Sequence, residues 1–254
     1  MRIGAQLYTL RMYTQSEPDL GRTLEKAAKI GYRTVQLSAI GPIKPKRVKE
    51  LCDANGIKIV LTHNAEKKFL ENIEELIEEH QLYGCKYVGL GSMAERYRSA
   101  DWFDQFALDY EGPASKLKDA GLLFMYHNHA FEFSRLPDGR TFMDALLDRM
   151  PEEIMGITAD TYWLQFAGVD VNEWLKNHAA RLPCVHLKDM VPWNFESRMA
   201  PVGEGNINFP SVLDTLGRNG VTEYLLVEQD NCYDQSAFDC MKKSYDYLYE
   251  KGYR

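Results

Sequence analysis

A (β/α)8 TIM barrel in a single domain, residues 1–254, is the fold that this sequence predicts, and three observations lead to it. Helix-period segments alternate with short apolar runs along the whole chain. The junction from helix to run is marked again and again by a glycine. The runs are apolar throughout rather than alternating, as parallel strands covered on both sides require. Eight strand-then-helix units in about 250 residues is the arithmetic of a closed barrel.

The strands fall near 2–8, 34–37, 58–62, 87–90, 122–127, 155–159, 182–187 and 224–228. Helical patterns follow each one, near 19–30, 44–55, 67–83, 99–120, 141–150, 170–178, 209–218 and 236–249. Leu20, Leu24, Ala27 and Ala28 share one face of the first helix, and Leu70, Ile73, Leu76 and Ile77 one face of the third. Gly31, Gly56, Gly84, Gly121 and Gly220 stand where a helix must stop before the next strand. A glycine there adopts the left-handed conformation without a Cβ clash. A doubly wound open sheet is the rival architecture, but Tyr8-Thr9-Leu10-Arg11 follows the first strand where that fold usually carries a glycine-rich turn. The segment 190–209 is long for a strand-to-helix connection, and such loops are commonly lids or interface arms.

Composition narrows the function. A hydrophobic share of 45% with charges of both signs interspersed describes a globular chain with a sizeable core. The net charge of −7 argues against a nucleic-acid partner and against docking on an anionic membrane surface. No apolar stretch approaches the ~18 residues that span a bilayer, and the first residues lack a signal-peptide core. Five widely spaced cysteines without a Cys-x-x-Cys pair argue against a disulfide framework or a thiolate zinc site. Free thiols fit a cytoplasmic location.

In a barrel of this kind the chemistry sits at the C-terminal ends of the strands. Those ends carry Tyr8, Gln36, His63, Asn64, His127, Asn128 and His129, with Glu132 just beyond. Asp160, His186, Lys188, Asp189, Glu228 and Asp230 complete the set. Four of the six histidines belong to it. A lone strand-end histidine is more often a hydrogen-bonded rim residue than a ligand, and a lone carboxylate there is commonly a helix N-cap. Asp170 and Ser236 can supply the following caps locally, which frees Asp160 and Glu228. Several imidazoles and carboxylates converging on one mouth point instead to a divalent metal without thiolate ligands: Mn²⁺, Mg²⁺, Co²⁺ or Zn²⁺.

The run Tyr126-His127-Asn128-His129-Ala130-Phe131-Glu132-Phe133 resembles the YHNHxxEF signature of sugar phosphate isomerase/epimerase-like proteins, which belong to the xylose isomerase-like superfamily and are relatives of inosose dehydratases. The resemblance continues through Asp160-Thr161-Tyr162-Trp163, Val185-His186-Leu187-Lys188-Asp189, Val202-Gly203-Glu204-Gly205 and Val227-Glu228-Gln229-Asp230. It covers essentially the whole chain. It implies one divalent metal held by an acid on the fifth strand, Asp160, His186 and Glu228. The usual fifth-strand glutamate aligns with His127, so the first ligand is His127 or Glu132, and Glu132 is preferred. Gln36 stands where relatives often carry glutamate, and Asn208 where an aspartate commonly follows the Gly-x-Gly segment.

The expected reaction is metal-assisted proton abstraction beside a carbonyl of a sugar or sugar-derived ketone, giving isomerisation or epimerisation. Glu228 and Glu132 are the expected proton carriers, with His129 and Lys188 as further acids or oxyanion partners. His63, His127 and Trp163 are expected to contact a small carbohydrate substrate, Trp163 by stacking on an apolar sugar face. Elimination of water at the same site is the alternative reaction. An endonuclease-like phosphodiesterase would need a cationic groove that this charge balance disfavours, and a non-catalytic sugar-binding barrel would not need the full ligand set. Homo-oligomerisation is left open.

Overall fold

The structure, a computed structural model, describes residues 1–99 and 103–254. The chain begins with β1 (Arg2–Gln6), α1 (Glu17–Ile30), β2 (Thr34–Leu37), α2 (Pro45–Ala54) and β3 (Lys58–Asn64). There follow α3 (Glu66–Leu70), α4 (Ile73–Tyr83), β4 (Tyr87–Leu90), α5 (Phe103–Asp119) and β5 (Leu123–His127). Next come α6 (Phe142–Arg149), β6 (Met155–Asp160), α7 (Thr161–Phe166), α8 (Val171–Asn177) and β7 (Cys184–Leu187). A hairpin of β8 (Asp189–Trp193) and β9 (Glu196–Ala200) precedes α9 (Phe209–Asn219), β10 (Tyr224–Val227) and α10 (Ala237–Glu250). Strands β1 to β7 and β10 pair in sequence order, all parallel, and β10 closes on β1. This is the expected closed barrel.

Strand periodicity fixes what faces inward. Leu61, Met125, Cys184 and Leu226 belong to a small apolar cluster separate from the main core. Two residues on from each, on the same face of its strand, stand His63, His127, His186 and Glu228. The polar residues therefore cap a column of interior side chains instead of pointing at the helices. The other face of the strands, including Val35, Val88, Phe124, Ile157, Val185 and Leu225, packs under the helices in the main core. Each such side chain contributes roughly 1.5–3 kcal/mol by leaving water.

Three local departures from the sequence expectation have physical causes. β1 stops at Gln6 because the Gln6 side chain accepts the Tyr8 N–H at 3.0 Å and starts a 3-10 turn over Leu7–Tyr13. The helix expected over 67–83 is two helices, since Asn72 leaves helical space at φ −134° and ψ 42°. The short α7 begins directly at the end of β6, capped by Asp160, before the expected helix, here α8, starts behind Asp170. The first part of the helix expected over 99–120 falls on 100–102, outside the described residues; α5 covers the rest.

The 190–209 connection is only partly an arm. Its first half is the β8–β9 hairpin, turned by Asn194 and Phe195 at φ 46° and 67°. Its second half folds back on the buried carboxylate of Asp189, which accepts N–H groups of Gly203 and Gly205 at 2.9 Å each and of Ile207 at 3.2 Å. A Cβ on Gly205 would lie 2.3 Å from Asp189 Oδ1, so glycine is what lets the backbone approach. Among the described residues no helix is long and apolar enough to cross a membrane.

Gly89 sets the spacing between β3 and β4 inside the barrel. A Cβ there would stand 2.3 Å from the Thr62 carbonyl oxygen and 3.0 Å from the His63 ring. Gly89→Ala should lower stability by about 1–3 kcal/mol, the usual range for overpacking, seen as a lower denaturant midpoint at unchanged m-value. An unchanged midpoint would mean that the two strands are not in such close contact.

Candidate active site

Four buried side chains from four strand ends meet on the column described above: His127 from β5, Asp160 from β6, His186 from β7 and Glu228 just past β10. One ligand atom from each lies within 4.8 Å of all the others. His127 Nε2 is 3.3 Å from Asp160 Oδ2, and His186 Nδ1 is 3.8 Å from the same oxygen and 2.9 Å from Glu228 Oε2.

The outer contacts decide which atoms face inward. His127 Nδ1 lies 2.9 Å from the Gly91 carbonyl, which can only accept, so this nitrogen carries the hydrogen and Nε2 is the inward one. His186 Nε2 donates to Gln36 Oε1 at 2.6 Å and so turns Nδ1 toward the carboxylates. Asp160 divides its oxygens. Oδ1 accepts the N–H groups of Tyr162 and Trp163 at 2.9 and 3.1 Å as the N-cap of α7, and Oδ2 is left for the cluster. Asp160 is thus a helix N-cap after all, because α7 starts directly after β6 and ahead of the helix that Asp170 caps, and its second oxygen still faces the cluster.

Four electron-pair donors this close need positive charge among them. Lys188 supplies some: its Nζ stands 3.2 Å from Asp160 Oδ2, 3.1 Å from Glu228 Oε2 and 2.9 Å from Asp230. Burial works against the ammonium, but Asp160, Glu228 and Asp230 outweigh it and hold its proton affinity well above the ordinary lysine value. Burial likewise opposes a charge on His186, yet Glu228 and Asp160 push its pKa up to about 9. Burial would raise the Asp160 and Glu228 carboxyls; Lys188 leads the groups that hold both well below the carboxylate range instead. Even so, His186 Nδ1 and Glu228 Oε2 are buried without a hydrogen-bond partner of proper geometry. Two imidazole nitrogens and two carboxylate oxygens, two of these atoms without a partner, form a donor set that a divalent cation fits once His186 gives up its Nδ1 proton, and the cluster could hold one.

The cluster opens into a cavity of about 430 Å³ at the strand ends. Tyr8, His63, Asn64, His129, Lys188 and Glu228 are among its walls. His63 and His129 are neutral: burial lowers both, His63 far below its ordinary value and His129 to about 3. Their Nε2 and Nδ1 atoms, and Trp163 Nε1, are buried without partners. The Trp163 ring lies 5.3 Å from that of His129, with Lys188 Nζ 5.5 Å from its centre.

Glu132, expected among the ligands and proton carriers, lies outside this group and does not line the cavity. Its Oε1 accepts the Tyr126 hydroxyl at 2.6 Å and its Oε2 the His129 N–H at 2.9 Å. It holds the turn that presents His129, while His127 takes the fourth place in the cluster. The alignment of His127 with the superfamily's glutamate was the sequence signal for that placement. Gln36 and Asp230 were visible as strand-end residues and Gly91 was not singled out; their part in orienting histidines or Lys188 depends on cross-barrel contacts that spacing does not reveal.

A parallel eight-stranded barrel with buried histidines and carboxylates at its mouth defines a class, and comparison with known proteins identifies it. The description "Xylose isomerase-like TIM barrel" matches residues 24–250, and the chain belongs to that family. It is similar to the inosose dehydratase of Clostridium perfringens, 27% identical over 128 residues. That alignment covers 44% of this chain and 42% of the relative, less than half the length of the curated protein. Among solved structures, a sugar phosphate isomerase/epimerase from Parabacteroides distasonis superposes with a TM-score of 0.82 at 22% identity, covering 97% of this chain and 93% of that one. A D-allulose 3-epimerase from Methylomonas sp. gives 0.75 at 14% identity, covering 99% and 98%. At these identities the two structures establish the fold.

Burial pushes the Glu132 carboxyl up to about 7 from its ordinary 4.5, against the pull of Tyr126 and the backbone N–H groups. Between those values the folded chain holds a proton that the unfolded chain has lost. Stability therefore declines as pH rises through this window, by about 3 kcal/mol at most. Glu132→Gln should remove that slope, since an amide can accept from His129 N–H and donate to the Tyr126 oxygen. Denaturant unfolding of both proteins from pH 5 to pH 8 checks this, and parallel pH profiles would contradict it.

Proposed function

We propose that the protein is a divalent-metal-dependent sugar isomerase or epimerase that moves a proton at the carbon beside a carbonyl of a sugar or sugar-derived ketone. The observation that carries this reading is the four-donor cluster of His127, Asp160, His186 and Glu228 at the floor of a cavity walled by unpartnered polar side chains. Those four residues would hold the cation, which when bound supplies Lewis-acid stabilisation of negative charge on the substrate oxygen.

Glu228 is the proton carrier in this proposal. It is ionised, it lines the cavity, and its Oε2 has His186 and Lys188 as charged neighbours but no hydrogen bond of proper geometry. Lys188, in the same wall, donates to the oxygen on which charge develops, and Asp230 keeps it within reach. His129 stays neutral near pH 7 and acts as a hydrogen-bonding contact, not as a charged acid. His63, in the cavity wall, offers a further contact to a hydroxyl group, whereas Trp163 stands behind the wall against His129 and Lys188. Glu132 acts through His129 by fixing its turn.

Loss of water from an inosose-type or 3-keto substrate is the second reading, favoured by the sequence similarity to an inosose dehydratase. The first proton transfer is the same in both. They part at the next step, where Lys188 would protonate a departing hydroxyl instead of an oxyanion.

Two measurements test the reading. Metal analysis after reconstitution with Mn²⁺, Co²⁺ and Zn²⁺ should find about one ion per chain, and His186→Ala should lose it with the fold intact. Wild-type protein that retains no metal would sink the cation. A panel of keto-sugars and inososes in D₂O should then show deuterium uptake beside the carbonyl, with Glu228→Gln slower by at least ~10². Full activity in Glu228→Gln would remove it as the proton carrier, and release of water in place of an isomer would select the dehydratase.

A further inference from the structure

β3 and α4 carry a buried polar chain that the proposed chemistry does not use. His80 is fully buried, and its Nδ1 lies 2.7 Å from the Leu76 carbonyl one turn earlier. A carbonyl only accepts, so Nδ1 bears the hydrogen. Burial keeps the ring neutral, which leaves Nε2 as a lone pair. Thr62 Oγ1 is 2.7 Å from Nε2, so the hydroxyl must donate there. Its one proton is then committed, and Oγ1 accepts the amide of Asn64 at 2.6 Å. The Gly89 carbonyl, 3.4 Å from the same Asn64 Nδ2, demands the same orientation.

One main-chain carbonyl of α4 thus sets the direction of every hydrogen bond in the chain, and the far end is Asn64 Oδ1. Among the described residues nothing donates to that oxygen. Asn64 lines the active-site cavity and also an adjoining groove of about 540 Å³ between the segment after β2 and α4. We propose that Asn64 is a substrate-binding residue whose Oδ1 is held as an acceptor for one hydroxyl of a polyol substrate, with Thr62 and His80 as positioning residues. The proposal rests on the sugar reading above and deepens it.

The amide cannot turn over to offer its NH₂ without leaving Thr62 Oγ1 and the Gly89 carbonyl facing an oxygen. The substrate group at this junction must therefore be a donor. A keto or ether oxygen, or a phosphate, would meet acceptor against acceptor, and a deoxy carbon would leave Oδ1 unpaired. Sites built around one hydroxyl discriminate strongly against analogues that lack it.

The probe is glycerol, a triol small enough for the cavity, soaked into crystals of wild type, Thr62→Val and Thr62→Ser. Wild type and Thr62→Ser should show a glycerol hydroxyl within hydrogen-bond distance of Asn64 Oδ1, and Thr62→Val should lose it. The ¹⁵N spectrum of Thr62→Val should show the His80 Nε2 resonance moved to the free-acceptor position with Nδ1 still protonated, which a folded protein alone would not produce. With any sugar found by deuterium exchange, Asn64→Leu should raise KM at least tenfold and change kcat less. The proposal is overturned if glycerol places no oxygen on Asn64 Oδ1 in wild type, or if Thr62→Val binds it as wild type does. Should no sugar exchange deuterium while glycerol occupies Oδ1, the proposed reaction fails and the assignment of Asn64 stands.

Discussion

Two carboxylates and two imidazoles, buried with ligand atoms inside 4.8 Å of one another, are tolerable only beside positive charge, and much of the molecule is arranged around that need. An isolated ionised carboxylate in the interior is costly by many kcal/mol. The chain answers with Lys188, itself fully buried and pulled toward three carboxylates, while Gly91 and Gln36 aim the two histidines. The barrel is the scaffold that makes this possible. Four separate strands deliver one group each, and the apolar column beneath them keeps water from relieving the strain on the charges.

Partner geometry also separates residues that sequence places side by side. His127, His129 and Glu132 lie within six positions, yet only His127 reaches the cluster. His129 turns into the cavity wall, and Glu132 folds beneath it against Tyr126. Similarly, Lys188 and Asp189 are neighbours on opposite duties: one faces the carboxylates, and the other ties down the loop through Gly203, Gly205 and Ile207.

The barrel was legible because its signals are local: a capping glycine, an apolar run and a helical stripe each act within a few residues. Asp160, His186 and Glu228 were legible as strand-end groups for the same reason. The break at Asn72 was hidden because the apolar stripe continues across it from Leu70 to Ile73. The β8–β9 hairpin was hidden because Met190, Val191, Pro192 and Trp193 neither alternate nor carry a glycine turn. The exchange of Glu132 for His127 lay beyond periodicity altogether. His127 ends β5 and Glu132 follows five residues later, and only the Tyr126 hydroxyl and the Gly91 carbonyl, each reached through folding, decide which one turns inward.

Asp160 carries a consequence beyond its two contacts. Its Oδ1 is locked by the first N–H groups of α7, so the aim of Oδ2 is set by main-chain atoms and not by a rotamer that must be chosen on binding. A side chain already immobilised in the folded state would have little conformational freedom left to surrender to the proposed cation. The same lock ties the start of α7 to the cluster: a shift of that helix by a few tenths of an ångström would tilt the carboxylate with it. Drift in the packing of α7 would be felt in the cluster, through these two N–H groups, as a change of angle at Asp160.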